Sequence, residues 1–181
     1  MIKKIETALK RYTARTGATL QRPRAVMFDM DGILFDSMPG HCKAWKQVCD
    51  ENGIEAEADE FYAYEGRTGA STIDTLIRRQ FGRPATEAEI KDLYARKCVI
   101  FKSLGEPSVI PGASKACEAA INGGALCILV TGSGQRSNLD RLEREYPGVF
   151  PQEQRITAFD VKRGKPDPEP YLIGMAKGGA E

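Results

Sequence analysis

The sequence predicts an α/β protein in which a helical insertion interrupts a parallel sheet. Two short apolar runs, Ala25–Phe28 and residues 125–130, show no alternation of apolar and polar residues. Such runs are typical of strands that are buried on both faces of a parallel sheet. About sixty residues of helical periodicity separate the two runs, and helix and strand alternate after the second.

Residues 1–22 are predicted to form a polar N-terminal arm. Its apolar residues Ile2, Ile5, Leu9 and Tyr12 recur at spacings of three and four, which predicts a short amphipathic helix. We expect this stripe to pack on the body of the protein, because the arm lacks the continuous apolar stretch of a secretory signal.

Residues 38–105 are predicted to form a separate helical cap, between core segments 23–37 and 106–181. The flanks of the cap, residues 37–40 and 104–107, contain Pro and Gly and are typical of linkers. Thr86 and Glu89 form the sequence pattern of a capping box at the start of its last helix. Three apolar stripes indicate cap helices: His41, Trp45 and Val48; Ile73, Leu76, Ile77 and Phe81; and Ile90, Leu93, Tyr94, Cys98 and Phe101.

The second core segment is predicted to alternate between helix and strand. An apolar stripe in residues 113–121 predicts a helix that stops at the following glycine pair, and the strand at 125–130 comes next. After another helix, residues 156–159 predict a third short strand. Asp167 and Pro168 form a helix-start pattern, and the final helix is expected to reach about Lys177.

The composition argues against several classes of protein. Twenty-six basic and twenty-five acidic residues give a net charge of +1, which offers no support for binding nucleic acid. No apolar run approaches the ~20 residues of a membrane span. The five cysteines are scattered and form no CxxC pair, which favours reduced thiols over a disulfide scaffold or a zinc site. We therefore expect a cytoplasmic protein without nucleic-acid or membrane partners.

Polar groups follow each of the three predicted strands. They are Asp29 with Asp31, Thr131 with Ser133, and Lys165. Because the carboxyl ends of parallel strands meet at one edge of the sheet, we expect these side chains to share a site. Each group could instead be structural, as a turn cap, a helix cap or a surface lysine. The joint occurrence at successive strand ends favours a functional site.

These residue types suit phosphoryl transfer. One carboxylate can attack as a nucleophile while the other acts as general acid and base. Paired carboxylates also attract Mg²⁺, which prefers oxygen ligands. The hydroxyl and backbone N–H groups of the glycine-rich turn at 131–134 can bind phosphate oxygens, and a lysine adds positive charge.

The same residues resemble the three motifs of the haloacid dehalogenase (HAD) superfamily. Residues 29–37 resemble its first motif, residues 131–133 its second and residues 164–170 its third, in a resemblance that covers residues 24–181. The helical insert, with His41 and Trp45 near its start, is similar to the cap of the β-phosphoglucomutase-like branch. Residues 65–72 are most similar to a subset of that branch that includes HAD-type inorganic pyrophosphatases. The fold that this implies is a Rossmannoid parallel core with an inserted α-helical cap.

The resemblance implies a two-step mechanism. Asp29 would form an aspartyl-phosphate, and Asp31 would protonate the leaving oxygen and then deprotonate the attacking water. Mg²⁺ would bind the Asp29 carboxylate and the Asp31 backbone carbonyl. Thr131 and Lys165 would hold the phosphoryl oxygens. The second aspartate also favours phosphate chemistry, because the superfamily's dehalogenases, whose leaving group needs no proton, lack it.

Further residues are candidates for binding substrate. In the resemblance, His41 helps with substrate binding and proton handling, although a single histidine on a helix is often only packed. Arg67 suits a second phosphate, although it could equally be a solvated turn residue. The complete substrate-binding set that we expect is Gly32, Gly132, Ser133, Arg67 and Trp45.

The sequence departs from the HAD pattern at its C-terminal end. The fourth motif, which supplies acidic Mg²⁺ ligands after a fourth strand, is not found in residues 171–181. We expect that the C-terminal strands of the core are missing from this chain, because the strand at Ala25–Phe28 would otherwise form a bare apolar edge. The complete protein is expected to be a monomer.

These observations favour a Mg²⁺-dependent phosphohydrolase that acts on a small phosphorylated metabolite, with inorganic pyrophosphate as a candidate substrate. One alternative is a β-phosphoglucomutase, in which the phosphoryl group returns to a sugar instead of leaving to water. Another alternative is a non-catalytic binding protein derived from this fold, which applies if the chain truly ends at residue 181.

Overall fold

The computed structural model describes residues 2–17 and 22–179. The strands are β1 (Ala25–Phe28), β2 (Leu126–Val130) and β3 (Arg155–Ile156). The helices are α1 (Ile2–Thr16), α2 (Met38–Glu51), α3 (Glu60–Ala63), α4 (Gly69–Phe81), α5 (Glu87–Ser103), α6 (Ala113–Asn122), α7 (Arg136–Glu145) and α8 (Glu169–Lys177), with a 3₁₀ turn at Gln152–Gln154.

The three strands form one parallel sheet in the order β1-β2-β3. Successive residues of β2 face opposite sides of the sheet, and both sides are covered. On one side, Leu129 packs against Leu142 of α7, and on the other side Ile128 and Val130 pack near Ile173 of α8. The predicted α/β class with a parallel sheet is therefore confirmed, and the continuous apolar run of β2 reflects burial on both faces.

Helices α2–α5, which we call the cap, enclose a hydrophobic cluster of their own. Its buried members include Trp45, Phe61, Leu76 and Leu93. The last cap helix starts with the predicted capping box, in which Thr86 and Glu89 each accept a hydrogen bond from the other's backbone N–H. Because the cap has its own core, it can move relative to the sheet without losing its internal packing.

Two predicted strand boundaries were wrong. The second strand begins at Leu126 rather than at residue 125, and the third is Arg155–Ile156 rather than residues 156–159. Pairing of the third strand ends early because the backbone N–H and the hydroxyl of Thr157 both donate to the Asp160 carboxylate, which closes a tight turn. Phe159, predicted to lie in the strand, is 77% exposed in that turn.

The N-terminal helix is present, but the described part of its apolar stripe is not packed on the body of the protein as predicted. Leu9 and Tyr12 are 44% and 47% exposed, and the side chains of Ile2 and Ile5 lie outside the described residues. The helix relies on local bonds instead, since the hydroxyl of Thr13 donates to the carbonyl of Leu9 one turn earlier. Within the described residues, neither α1 nor any other helix is long and apolar enough to cross a membrane.

Candidate active site

The structure brings Asp29 and Lys165 together at the carboxyl edge of the sheet. The Lys165 Nζ lies 2.7 Å from the Asp29 Oδ2 and donates to the backbone carbonyl of Val130 at 2.9 Å. Lys165 therefore links the end of β1, the end of β2 and the loop that follows β3. Lys165 does not follow β3 directly; the loop that carries it back to the edge of the sheet begins with the turn at Thr157.

Opposing interactions act on the pKa of Asp29. Burial raises the pKa of Asp29 and the nearby Asp31 adds to this, whereas the charge and hydrogen bond of Lys165 lower it. The backbone N–H of Met30 donates to the Asp29 Oδ1 at 2.8 Å. These bonds orient the carboxylate, and Lys165 keeps a larger fraction of it ionised than burial alone would allow.

Asp31 is the centre of a second hydrogen-bonded group. Its Oδ1 accepts a hydrogen bond from the Ser37 hydroxyl at 2.5 Å and lies 3.0 Å from the Nε2 of His41. Burial acts to raise the pKa of Asp31, but the interactions with His41 and Ser37 outweigh it and leave that pKa below its usual value. Asp31 is therefore a carboxylate at neutral pH in this arrangement.

Lys97, which sequence reasoning missed, lies behind His41. The Lys97 Nζ is 2.7 Å from the His41 Nδ1, and its side chain is buried above the rings of Trp45 and Phe101. Burial lowers the pKa of Lys97 to about 8 and also lowers the pKa of His41. A neutral His41 can accept a hydrogen bond from the Lys97 ammonium at Nδ1. It then donates a hydrogen bond from its Nε2–H to the Asp31 carboxylate.

A signal for Lys97 was present in the sequence. Lys97 lies four residues after Leu93 and four before Phe101, both of which were assigned to the buried stripe of α5. A charge in the middle of an apolar helix face is uncommon unless it has a partner. The partner could not be identified from the sequence, because His41 lies on another helix.

The predicted phosphate-binding turn lies directly beneath the cap. Thr131 and Ser133 are buried, and the Thr131 hydroxyl accepts a hydrogen bond from the backbone N–H of Ser133 at 3.1 Å. Gly132 lies so close to the cap that a Cβ atom there would be 2.4 Å from the carbonyl oxygen of Gly66. Gly66 in turn has a φ of +75° and lies against the Lys165 side chain. The cap loop is therefore in direct contact with two predicted parts of the site.

Glu65 is a second residue that sequence reasoning missed. A Cβ atom on Gly32 would be 3.0 Å from the Glu65 Oε1, so the carboxylate of the cap reaches the turn that follows Asp31. Burial raises the pKa of Glu65, and the charges of Asp29 and Asp31 raise it further. Residues 65–72 were singled out as a local resemblance, but nothing in the sequence showed that Glu65 would face the two aspartates.

The cap and the core line a cavity that is partly open to solvent, with about 60 Å³ of space for the centres of water-sized groups. Its walls carry two cations, Arg67 and Lys97, two carboxylates, Asp31 and Glu65, and the aromatic rings of Trp45 and Tyr94. The Tyr94 ring lies over Gly69, where an added Cβ would be 2.2 Å from the ring. The predicted binding residues Arg67, Trp45, Gly132 and Ser133 all line this cavity, together with Asp31 and His41.

The donor set is compatible with a hard cation, although it is not a finished metal site. Among the described residues, no three His, Cys, Asp or Glu side chains are arranged closely enough to hold a metal ion. Charge repulsion nevertheless acts among Asp29, Asp31 and Glu65: the charge of Asp31 acts to raise the pKa of Asp29, and the charges of both aspartates act to raise the pKa of Glu65. A divalent cation bound to oxygen atoms would relieve that repulsion.

Comparisons with known proteins identify similar chains. The family signature of the haloacid dehalogenase-like hydrolases matches residues 23–180. One similar structure comes from Bacteroides vulgatus and is provisionally named a beta-phosphoglucomutase. It is 43% identical in sequence, and it superimposes with a TM-score of 0.87 over 97% of this chain and 71% of the Bacteroides chain. The phosphorylated carbohydrates phosphatase of Thermotoga maritima is 29% identical over 84% of this chain and 69% of its own length. Hexitol phosphatase A of Escherichia coli is 30% identical over 84% and 68%.

Proposed function

Because this chain belongs to the haloacid dehalogenase-like hydrolases, in their β-phosphoglucomutase-like branch, we propose that it hydrolyses a small phosphorylated substrate through a phosphoryl-enzyme on Asp29. The observation that carries this proposal is the contact of 2.7 Å between Asp29 and Lys165, beside the turn at Thr131. A carboxylate that can act as a nucleophile lies against a fixed cation, beside a turn whose hydroxyl groups can bind phosphoryl oxygens.

In the proposed first step, an Asp29 oxygen attacks phosphorus and the bond from phosphorus to the leaving oxygen breaks. Lys165 and the turn at Thr131 stabilise charge on the phosphoryl oxygens. Asp31 gives a proton to the leaving oxygen, which requires that the arriving negative charge raise the pKa of Asp31 above its low resting value. His41 and Lys97 hold the Asp31 carboxylate in place.

In the proposed second step, Asp31 removes a proton from water as that water attacks phosphorus. The bond from phosphorus to Asp29 breaks, and inorganic phosphate leaves. The low pKa of Asp31 suits this step, because a base must start as the carboxylate. When bound, Mg²⁺ would neutralise phosphoryl charge, and Asp29, the Asp31 carbonyl and Glu65 are the groups that would hold it.

Two cations in the cleft favour inorganic pyrophosphate as the substrate. The cleft has room for several water-sized groups beside Asp31, which is enough for a second phosphate. Arg67 and Lys97 supply positive charge for that second phosphate. The names of the relatives point instead to sugar phosphates. The Tyr94 ring, which lies over Gly69 in the wall of the cavity, narrows the space for a leaving group, and we therefore propose the smaller substrate.

The substrate proposal is tested by Tyr94→Ala. We expect the wild-type protein with Mg²⁺ to hydrolyse pyrophosphate with a higher kcat/KM than β-glucose 1-phosphate. Removal of the ring should enlarge the cavity and shift that ratio towards the sugar phosphate by roughly tenfold or more. Tyr62→Ala, which removes a half-exposed tyrosine of the cap outside the cavity, is the matched control.

The products distinguish a hydrolase from a mutase in the same assay. A hydrolase releases inorganic phosphate from β-glucose 1-phosphate, whereas a mutase produces glucose 6-phosphate. A wild-type protein that prefers the sugar phosphate, with a ratio that Tyr94→Ala leaves unchanged, would refute pyrophosphate as the substrate. Formation of glucose 6-phosphate would establish the mutase alternative.

Lys97 leads to a prediction about pH. Because burial lowers the pKa of Lys97 to about 8, its ammonium loses its charge as the pH rises through that value, and that charge is one of the interactions that keep the pKa of Asp31 low. We expect kcat/KM to fall with an apparent pKa near 8. In Lys97→Arg the guanidinium stays protonated, so this fall should move to higher pH. A pH profile that is identical in wild type and Lys97→Arg would contradict the role of Lys97.

A further inference from the structure

The cap is joined to the core by two linkers that lie side by side. Linker one is residues 36–37 and linker two is residues 104–108. The backbone N–H of Asp36 donates to the carbonyl of Ser108 at 2.8 Å, and just beyond the linkers the N–H of Ile110 donates to the carbonyl of Leu34 at 3.0 Å. Any rotation of the cap as a body must therefore pass through this pair of linkers.

One side chain of the core contacts linker two and also the residue that precedes linker one. Arg141 of α7 donates from its Nη2 to the carbonyl of Pro107 in linker two. Its guanidinium carbon also lies 4.6 Å from the ring centre of Phe35, the residue that precedes linker one. The Arg141 side chain is only 11% exposed, which makes it a buried cation at the base of the cap.

The hydrogen-bonding capacity of Arg141 is only partly used. Among the described residues, no acceptor is within hydrogen-bond distance of its buried Nε and Nη1. The Oε2 of Glu106, in linker two, is 3.8 Å from Nε. Unpaired N–H groups on a buried cation are costly, and an apolar side chain of similar length would fill this space without that cost. The fork of donors therefore points to a role beyond packing.

Helix α7 also connects this guanidinium to the phosphate-binding turn. Asn138, one helical turn before Arg141, donates from its Nδ2 to the Ser133 hydroxyl at 3.4 Å. Residues three apart on a helix share a face. The same face of α7 therefore contacts the phosphate-binding turn through Asn138 and linker two through Arg141. A small cavity of about 10 Å³ between them is lined by Asn138, Arg141 and Asp31.

We propose that Arg141 is a positioning residue that sets the pivot of the cap over the site. In the closed arrangement its Nη2 binds the Pro107 carbonyl. As the linkers rotate, the neighbouring Nε and Nη1 groups of the same fork take over that carbonyl, so the linker stays attached to α7 in more than one cap position. A lysine carries its three donors on one nitrogen, whereas the guanidinium spreads its donors over three nitrogens, so a lysine covers a smaller range of carbonyl positions.

Acrylamide quenching of Trp45 tests the proposal without ligand or turnover. Trp45 is the only tryptophan of the chain. One part of its ring packs in the cap's own cluster and another part lines the cavity towards the core, so exposure of that second part reports opening of the cap. We expect Arg141→Met to raise the quenching constant at least about twofold, because the cap is then held less firmly over the core and opens more often. Arg141→Lys should lie between wild type and Arg141→Met.

The matched control is Arg144→Met. Arg144 is also on α7 and binds the same Glu106 carboxylate at 2.6 Å, but it is half exposed. This variant tests whether the loss of a surface ion pair to linker two is enough to increase the quenching of Trp45. We expect quenching and kcat/KM of Arg144→Met to stay within about twofold of wild type, as is usual for exposed ion pairs.

Activity provides the second readout, and it alone rests on the proposed function. We expect kcat of Arg141→Met to fall roughly 10- to 100-fold, because small misplacements of Lys97 and Glu65 over the site are costly. Wild-type quenching in both Arg141 variants would overturn the proposal, whatever their activity. Full wild-type behaviour of Arg141→Lys would overturn the requirement for a fork of donors. Increased quenching in a protein that hydrolyses no phosphorylated substrate would support the pivot and refute only the proposed function.

Discussion

Replacement of Asp29 by alanine should abolish turnover. Its neighbours are poor substitutes, because Lys165 is a cation and the Asp31 carboxylate is held by Ser37 and His41. Removal of a catalytic nucleophile lowers kcat by roughly 10⁴-fold or more in comparable enzymes. We therefore expect Asp29→Ala to retain far less than about 1% of wild-type activity, measured as release of inorganic phosphate.

Asp36→Ala is the control for this experiment. Asp36 lies in the same motif segment but is exposed, outside the cavity and away from the Asp29–Lys165 contact. Its substitution should leave kcat within about threefold, as is usual for surface positions. Residual activity of Asp29→Ala above about 1% would contradict the assignment of Asp29 as the nucleophile.

The second large effect is expected for Lys165→Met. The change removes the cation that stabilises the phosphoryl oxygens, a loss that costs about 10²- to 10³-fold for a single stabilising group in other enzymes. It also removes the interaction that opposes the effect of burial on Asp29, so the pKa of Asp29 rises further. A larger fraction of the nucleophile is then protonated and inactive at neutral pH.

The pH profile separates these two contributions. Since a protonated Asp29 regains its charge as the pH rises, the activity of Lys165→Met should recover in part at higher pH, while the loss of phosphoryl stabilisation remains. Lys165→Arg keeps the charge and should be less impaired. Lys162→Met, which removes an exposed lysine in the same loop, is the control. Wild-type kcat/KM in Lys165→Met would contradict the role of Lys165.

The sheet and its polar rim could be predicted because their signals are local. Asp29 follows a continuous apolar run and Thr131 follows another, and parallel strands place both at the same edge. The capping box at Thr86 needs only residues three apart in sequence, and it formed as predicted. These features depend on neighbours along the chain and on one general rule of topology.

The cap-side residues could not be predicted because they depend on how two bodies meet. Lys97 contacts its partner on another helix, Glu65 lies near the aspartates of the core, and the Tyr94 ring lies over Gly69. The length of the third strand was missed for a smaller reason. The hydrogen bonds of the Thr157–Asp160 turn replaced the strand pairing that the apolar pattern favoured.

The most direct test of the account is to trap the phosphoryl-enzyme. The protein with Mg²⁺ is mixed with its best substrate and quenched in acid during turnover, and its peptides are then analysed by mass spectrometry. We predict one phosphoryl group on the peptide that contains Asp29, and none in Asp29→Ala. Rapid turnover by a protein whose Asp29 stays unmodified, or a phosphoryl group on any other residue, would contradict the central claim.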